Sequence, residues 1–209
     1  MNPIYPKLAE SIQVLELNIP NISSRRKSQL EELAIFIAAQ LTKNTSADLI
    51  FICTHNSRRS HLAQIWMALF AYHYKLNIKA YSGGTEATEF NRHAIHALED
   101  LGFISEKGNG ENSITRIGFS NEKQINCFSK KYNHASNPQT HFIAIMTCSQ
   151  ADETCPYISG AANRIALEYE DPKISDGSGN ELMVYSKIAM QIGTEILYLN
   201  QYLKTQING

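Results

Sequence analysis

The chain has 209 residues, 43% of them apolar, and a net charge of −1. That length suits one domain with an appendage, and the near-neutral charge offers no footprint for nucleic acid or an anionic membrane. No apolar run reaches spanning length, and Met1 to Pro6 lack the basic-then-apolar pattern of a secretory signal. A reducing cytoplasm is therefore expected, in which the four cysteines serve as reactive, metal-binding or core thiols rather than structural disulfides.

Residues 1–46 read as an extension of two helices. Lys7 to Leu17 places Leu8, Ile12 and Leu15 on one side, and Pro20 ends it. Ser23 or Ser24 is a candidate cap for a second helix, with Leu30, Leu33, Ala34, Ile37 and Leu41 at helical spacing. The segment carries no evident chemistry, and a hairpin packed on the main domain or on a partner is expected.

From residue 47 the pattern becomes strand, helix, strand, helix. Residues 48–53 form a short apolar strand, 60–74 a helix without Gly or Pro, and 78–82 a second strand running into Gly83-Gly84. Asn91 is a candidate cap for a helix that reaches Leu101 and stops at Gly102. The alternation predicts a parallel sheet with right-handed crossovers. Residues 103–139 interrupt it. Two alternating runs, Ser113 to Phe119 and Gln124 to Phe128, flank Asn121-Glu122 and predict an inserted β-hairpin. It would either lie over the loop after the first strand or form a mobile surface segment. The pattern resumes with a buried strand from His141 to Thr147 and a fourth from Arg164 to Tyr169. A final helix over 180–204 is expected to bury Leu182, Tyr185, Ile188, Ala189, Ile192, Ile196 and Leu199.

The chemistry concentrates in Cys53-Thr54-His55-Asn56-Ser57-Arg58-Arg59-Ser60, between the first strand and its helix. A strand that turns directly into a helix leaves loop and first-turn N–H groups converging on one bowl, which suits a tetrahedral oxyanion. Cys53 opens that bowl, where N–H donors, Arg59 and the Ser60 hydroxyl favour its thiolate. Arg59 offers a planar fork for two oxyanion oxygens. The expected chemistry is covalent attack by sulfur on phosphorus or arsenic. By itself a cysteine six positions before an arginine is a weak pattern, and a core cysteine ending a strand would produce it too. The strand before it, the helix after it and the adjoining serine strengthen it.

This eight-residue segment resembles the phosphate loop of the low-molecular-weight protein tyrosine phosphatases and of the thioredoxin-coupled arsenate reductases that share their fold. Tyr81-Ser82-Gly83-Gly84-Thr85 resembles the segment after the second strand of that family, and Asp171-Pro172 its general-acid loop. The resemblance covers about residues 47–204 without the 103–139 insertion. It implies an α/β three-layer sandwich around a four-stranded parallel sheet, with residues 47–209 as the enzyme domain. It also implies that Asp171 protonates the leaving oxygen. Otherwise Asp171 would merely open a turn before Pro172.

A second cysteine pair separates the two branches of the resemblance. Cys148 ends a predicted core strand and Cys155 follows seven positions on, a spacing wrong for a zinc knuckle but compatible with a mobile thiol relay. In the arsenate reductases that this chain resembles, such a trio acts in sequence. Carried over, Cys53 takes arsenate, Cys148 attacks Cys53 as arsenite leaves, and Cys155 attacks Cys148 to give a disulfide that a thioredoxin-like protein reduces. A phosphatase needs neither Cys148 nor Cys155. The residues after Asp171-Pro172, Lys173-Ile174, also lack the aromatics with which phosphatases of the family flank a phenol ring. Cys127 is expected to be incidental.

Three positions depart from the family pattern. His55 replaces a loop glycine and would be strained if the position needs positive φ; it would otherwise reach over the anion or point to solvent. Arg58 replaces a second loop cysteine and either favours the anion or faces solvent. Gln64 stands in place of a glutamate that helps hold potassium in the arsenate reductases, so no cation site and no cofactor are carried over. The expected function is arsenate reduction by the three-thiol relay. The alternatives are hydrolysis of phosphotyrosine or a small phosphoester, and a non-enzymatic redox sensor or anion-binding module that partners through residues 1–46.

Overall fold

The computed structural model describes residues 4–208; the ends of the two expected segments, 1–3 and 209, lie outside them. The chain opens with α1 (Pro6–Asn18), a 3₁₀ turn (Ile19–Asn21) and α2 (Ser24–Asn44). Pro20 sits inside the turn, where a continued helix would need its missing N–H. Ser23 caps α2 by accepting from the Arg26 amide. Leu8, Ile12, Leu15, Leu30, Leu33, Ala34 and Ile37 are buried as the helical spacing predicts, in the same core cluster as the sheet.

The central sheet is built of four parallel strands in the order β2-β1-β6-β7: β1 is Ala47–Cys53, β2 Ile78–Gly84, β6 Phe142–Met146 and β7 Ala161–Ala166. Leu49 to Ile52 is apolar at every position because both faces of the strand are covered. Leu49 and Phe51 face the larger core, with α2, α3 (Arg59–His73), α4 (Arg92–Asp100) and α6 (Glu181–Asn208). Ile50 and Ile52 face a smaller cluster with Ala144, Met146, Ala151 and Ile158, covered by the six-residue α5 (Ser149–Thr154) and loop segments. The sandwich is thus thick on one side and thin on the other. No helix among the described residues is long and apolar enough to cross a membrane.

Two expectations shift. The fourth strand begins earlier than predicted, at Ala161, and its ladder ends at Ala166, although the Leu167 and Tyr169 amides still donate to the Met146 and Thr147 carbonyls. Leu182 is 46% exposed rather than buried, in the first turn of α6, where Met183 is 66% exposed too. The other six residues expected on that face are buried.

The insertion contains the predicted hairpin, β4 (Thr115–Ser120) and β5 (Lys123–Cys127), and also a third antiparallel strand, β3 (Ile104–Lys107). β3 carries one apolar residue, Ile104, which is itself exposed, so it left no periodic signal. The hairpin does not lie over the loop after β1. Its inner face enters the main core through Ile117, Phe119 and Cys127, and the N-terminal segment joins it where the Tyr5 amide bonds the Phe119 carbonyl. The segment after the hairpin, from Ser129 to Tyr132, is what reaches the loop.

Candidate active site

Because all four strands run the same way, their carboxyl ends share one edge, and β1 lies where the connections diverge, toward β2 on one side and β6 on the other. Ligands of open α/β sheets bind at such an edge. Cys53 is the last residue of β1, Cys148 follows the end of β6, and Asp171 follows β7, so the register gathers all three.

The loop carbonyls are tied outward. The Thr85 amide donates to the Cys53 carbonyl (3.1 Å), Glu86 to Thr54 (2.8 Å) and Asn91 to Ser57 (2.9 Å). Ser129 Oγ holds the His55 carbonyl at 2.9 Å. With the carbonyls anchored away, the first-turn amides of α3, which have no intrahelical partner, define the donor side of the bowl. Gly84 makes this possible: a Cβ there would lie 2.2 Å from the Glu86 carbonyl oxygen and 2.7 Å from both the Asn56 nitrogen and the Thr54 carbonyl oxygen. Gly83 is equally confined, against the Tyr132 backbone at 2.3 Å.

The left-handed position of the loop is Asn56, with φ of 45°, not His55. Asparagine tolerates this region because its side chain bonds locally. Here the fully buried Asn56 donates to Ser60 Oγ (2.9 Å) and accepts the Lys130 amide (2.9 Å). Ser60 Oγ lies 3.1 Å from Cys53 Sγ. Since Ser60 accepts from Asn56, its own proton is free for the sulfur, and Asn56, Ser60 and Cys53 form one hydrogen-bonded chain that ends on the thiol. His55, without backbone strain, is half-exposed with Nε2 3.5 Å from Glu86 Oε2, so it neither covers the bowl nor stands free in solvent.

Both arginines converge on Asp171. Arg59 donates to Asp171 Oδ2 (2.7 Å) and to the Tyr169 carbonyl (2.9 Å). Arg58 donates to the Tyr185 hydroxyl (3.1 Å) and reaches Asp171 Oδ1 at 3.5 Å. Arg58 is therefore neither an open anion clamp nor a surface residue: it is largely buried, between Tyr185 and Asp171. Tyr185, read from the sequence only as a core residue, passes this anchorage on to Asp176 (2.9 Å), and burial with that bond pushes its hydroxyl up to about 12. The Arg59 guanidinium, expected from the sequence to clamp an anion, is taken up here by the Asp171 carboxylate and the Tyr169 carbonyl. A cleft of about 490 Å³ opens beside them, lined by Arg59, Cys148, Gln150, Tyr169, Asp171 and Gln191 among others.

The thiols are all unbridged. Cys148 is buried, and its Sγ is 3.5 Å from Thr54 Oγ1, the residue next to Cys53. Cys53 and Cys148 belong to one apolar cluster, and the part-exposed Cys155 packs against it. Cys127 lies apart in the main core, its thiol pushed up to about 12 by burial.

Behind the loop, His61 on α3 is fully buried, with Nδ1 3.1 Å from Ser82 Oγ and its ring 4.3 Å from that of Phe90. Burial, and then the charge of Lys130, push it down to about 3, so it stays neutral. Neither His61 nor Lys130 carried a sequence signal: one sits inside a helix buried on nearly every side, the other in a polar insertion. Gln64 bonds the Ala80 carbonyl at 3.2 Å.

No family model matches the chain. It is similar to an arsenate reductase of Bacillus cereus strain G9842, 27% identical over 148 residues that span 71% of this chain and 90% of the relative. An arsenate reductase of Brevibacillus brevis is 26% identical over the same shares. Among solved structures, a low-molecular-weight phosphotyrosine phosphatase from Vibrio cholerae O395 superposes with a TM-score of 0.52 at 16% identity, over 77% of this chain and 99% of that one, a likeness of fold.

Proposed function

The chain belongs to the low-molecular-weight protein tyrosine phosphatase superfamily, to which the arsenate reductases also belong, and we propose that within it this protein reduces arsenate through Cys53, Cys148 and Cys155. The observation that carries the proposal is the second thiol at the loop. Cys148 Sγ touches the Thr54 hydroxyl, one residue from the nucleophile, and a hydrolase has no use for it there.

Under this proposal the three thiols act in turn. The Cys53 thiolate attacks arsenic, and Asp171 protonates the departing oxygen, which leaves as water. The Cys148 thiolate then attacks the Cys53 sulfur. The S–S bond forms, the S–As bond breaks, and its electron pair stays on arsenic, which leaves as arsenite. The Cys155 thiolate attacks the Cys148 sulfur and releases Cys53 as thiolate. The Cys148–Cys155 disulfide is then reduced by a thioredoxin-like dithiol. Thr54 to Ser60 hold the oxyanion through their amides and Arg59.

The test is oxidation of NADPH by the full chain with thioredoxin and its reductase, as a function of arsenate. Turnover disappears in Cys148→Ser and in Cys155→Ser, while hydrolysis of an aryl phosphate by Cys53 survives in both. Undiminished arsenate turnover in either variant overturns the relay. Vigorous aryl phosphate hydrolysis with no arsenate turnover in the unmodified chain would make it a phosphatase.

A further inference from the structure

Cys148 and Cys155 bracket α5: Cys148 precedes it in extended conformation and Cys155 closes it. Seven residues of helical rise separate their Cα atoms by about 10 Å. A disulfide needs roughly 4.4–6.8 Å between Cα atoms. The pair cannot bridge while α5 is helical, so what holds α5 together controls the last thiol exchange.

Little of α5 itself does. Ala151 is its one buried residue, and its closing backbone bonds are Asp152 to Cys148 and Cys155 to Ala151, both 3.1 Å. The largest hold comes from outside. Arg164, on the edge strand β7, donates Nη2 to the Asp152 carbonyl (2.7 Å) and Nε to the Cys155 carbonyl (3.2 Å), and pairs with Asp152 Oδ1 at 2.6 Å. One guanidinium thus satisfies two carbonyls at the open end of the helix, where no intrahelical donor is available, and fixes the backbone of Cys155 itself.

We propose that Arg164 is a positioning residue of the thiol relay: it clamps the segment in the helical form that keeps Cys155 from Cys148, and disulfide transfer to that pair requires its release. The inference rests on the relay reading. In the step it controls, the Cys155 thiolate forms a bond to the Cys148 sulfur, the Cys53–Cys148 bond breaks, and its electron pair leaves on Cys53. Because the clamp stabilises only the dithiol form, it also raises the tendency of the pair to stay reduced until Cys53 has been oxidised. Charge-assisted bonds of this kind shift such an equilibrium on the order of 10- to 100-fold.

The experiment isolates the pair in a Cys53→Ser background and equilibrates the full chain with reduced and oxidised glutathione, the Cys148–Cys155 disulfide being counted by mass spectrometry after acid quench. Arg164→Ala is expected to raise the equilibrium constant for disulfide formation by about tenfold or more, with Arg164→Lys between it and the parent. Alkylation of Cys155 in the reduced protein should accelerate in the same order. In the Cys53-intact chain, aryl phosphate hydrolysis should be retained by Arg164→Ala, which shows that the fold and oxyanion loop survive; should that variant not fold, Arg164→Lys and Arg164→Gln carry the comparison. An equilibrium constant unchanged within about twofold, with the disulfide forming in the parent, overturns the clamp and leaves the relay standing. Failure of the parent to form the disulfide in any glutathione mixture overturns both.

Discussion

Replacing Asn56 by alanine tests whether the loop is held from behind in the way described. Asn56 is fully buried, sits at φ 45°, donates to Ser60 and accepts the Lys130 amide. Alanine removes the acceptor and leaves a buried N–H unpaired, at a cost of about 1–3 kcal/mol. It also removes the bond to Ser60, worth about 1 kcal/mol, and forces a Cβ without local hydrogen bonding into the left-handed region, worth about 1 kcal/mol more. The total, about 3–5 kcal/mol, is a large share of the stability of a domain this size. Asn56→Gly loses the same bonds but not the backbone freedom, and should fall short of wild type by about 1 kcal/mol less. Urea unfolding of the three proteins supplies the numbers. Inhibition of aryl phosphate hydrolysis by inorganic phosphate reports whether the bowl survives in the folded fraction. Destabilisation by alanine of under about 0.5 kcal/mol, or a glycine variant less stable than the alanine one, would refute the reasoning.

Two further outcomes follow from the same region. Gly84→Ala brings a methyl group against the Glu86 and Thr54 carbonyls and the Asn56 nitrogen, so it should cost about 3 kcal/mol or more in urea unfolding and weaken phosphate inhibition; a variant of wild-type stability would show that the loop can retreat. His61 stays neutral when folded down to about pH 3, whereas in the unfolded chain it takes a proton near pH 6.5. The unfolded state therefore binds more protons between these values. The His61 contribution to stability is present above pH 6.5 and declines as pH falls toward 3, by about 1.4 kcal/mol per unit at most. Urea midpoints of His61→Gln should fall less steeply with acidification than those of wild type, and parallel curves would count against a neutral His61.

The sequence by itself determined the alternation of β1, α3, β2 and α4, because apolar period, the Asn91 cap and Gly102 are local features that tertiary context reinforced. It also determined the loop, since a cysteine ending an apolar run, an arginine six positions later and a serine opening the helix can be read along one segment. The partners of that loop were another matter. Asn56 rather than His55 takes the left-handed position because the Lys130 amide, 74 positions away, is there to bond it. Arg58 turns inward because Tyr185 and Asp171 meet it, and Arg164 reaches across from β7 to bond the Asp152 carbonyl of α5. Each of these depends on which carbonyl or hydroxyl the parallel register brings within 3 Å or so of a donor, a long-range fact that no local period encodes. Spacing proposed a nucleophile with two further thiols; only the packed sheet edge placed Cys148 against the loop and brought Arg164 to the Cys155 carbonyl.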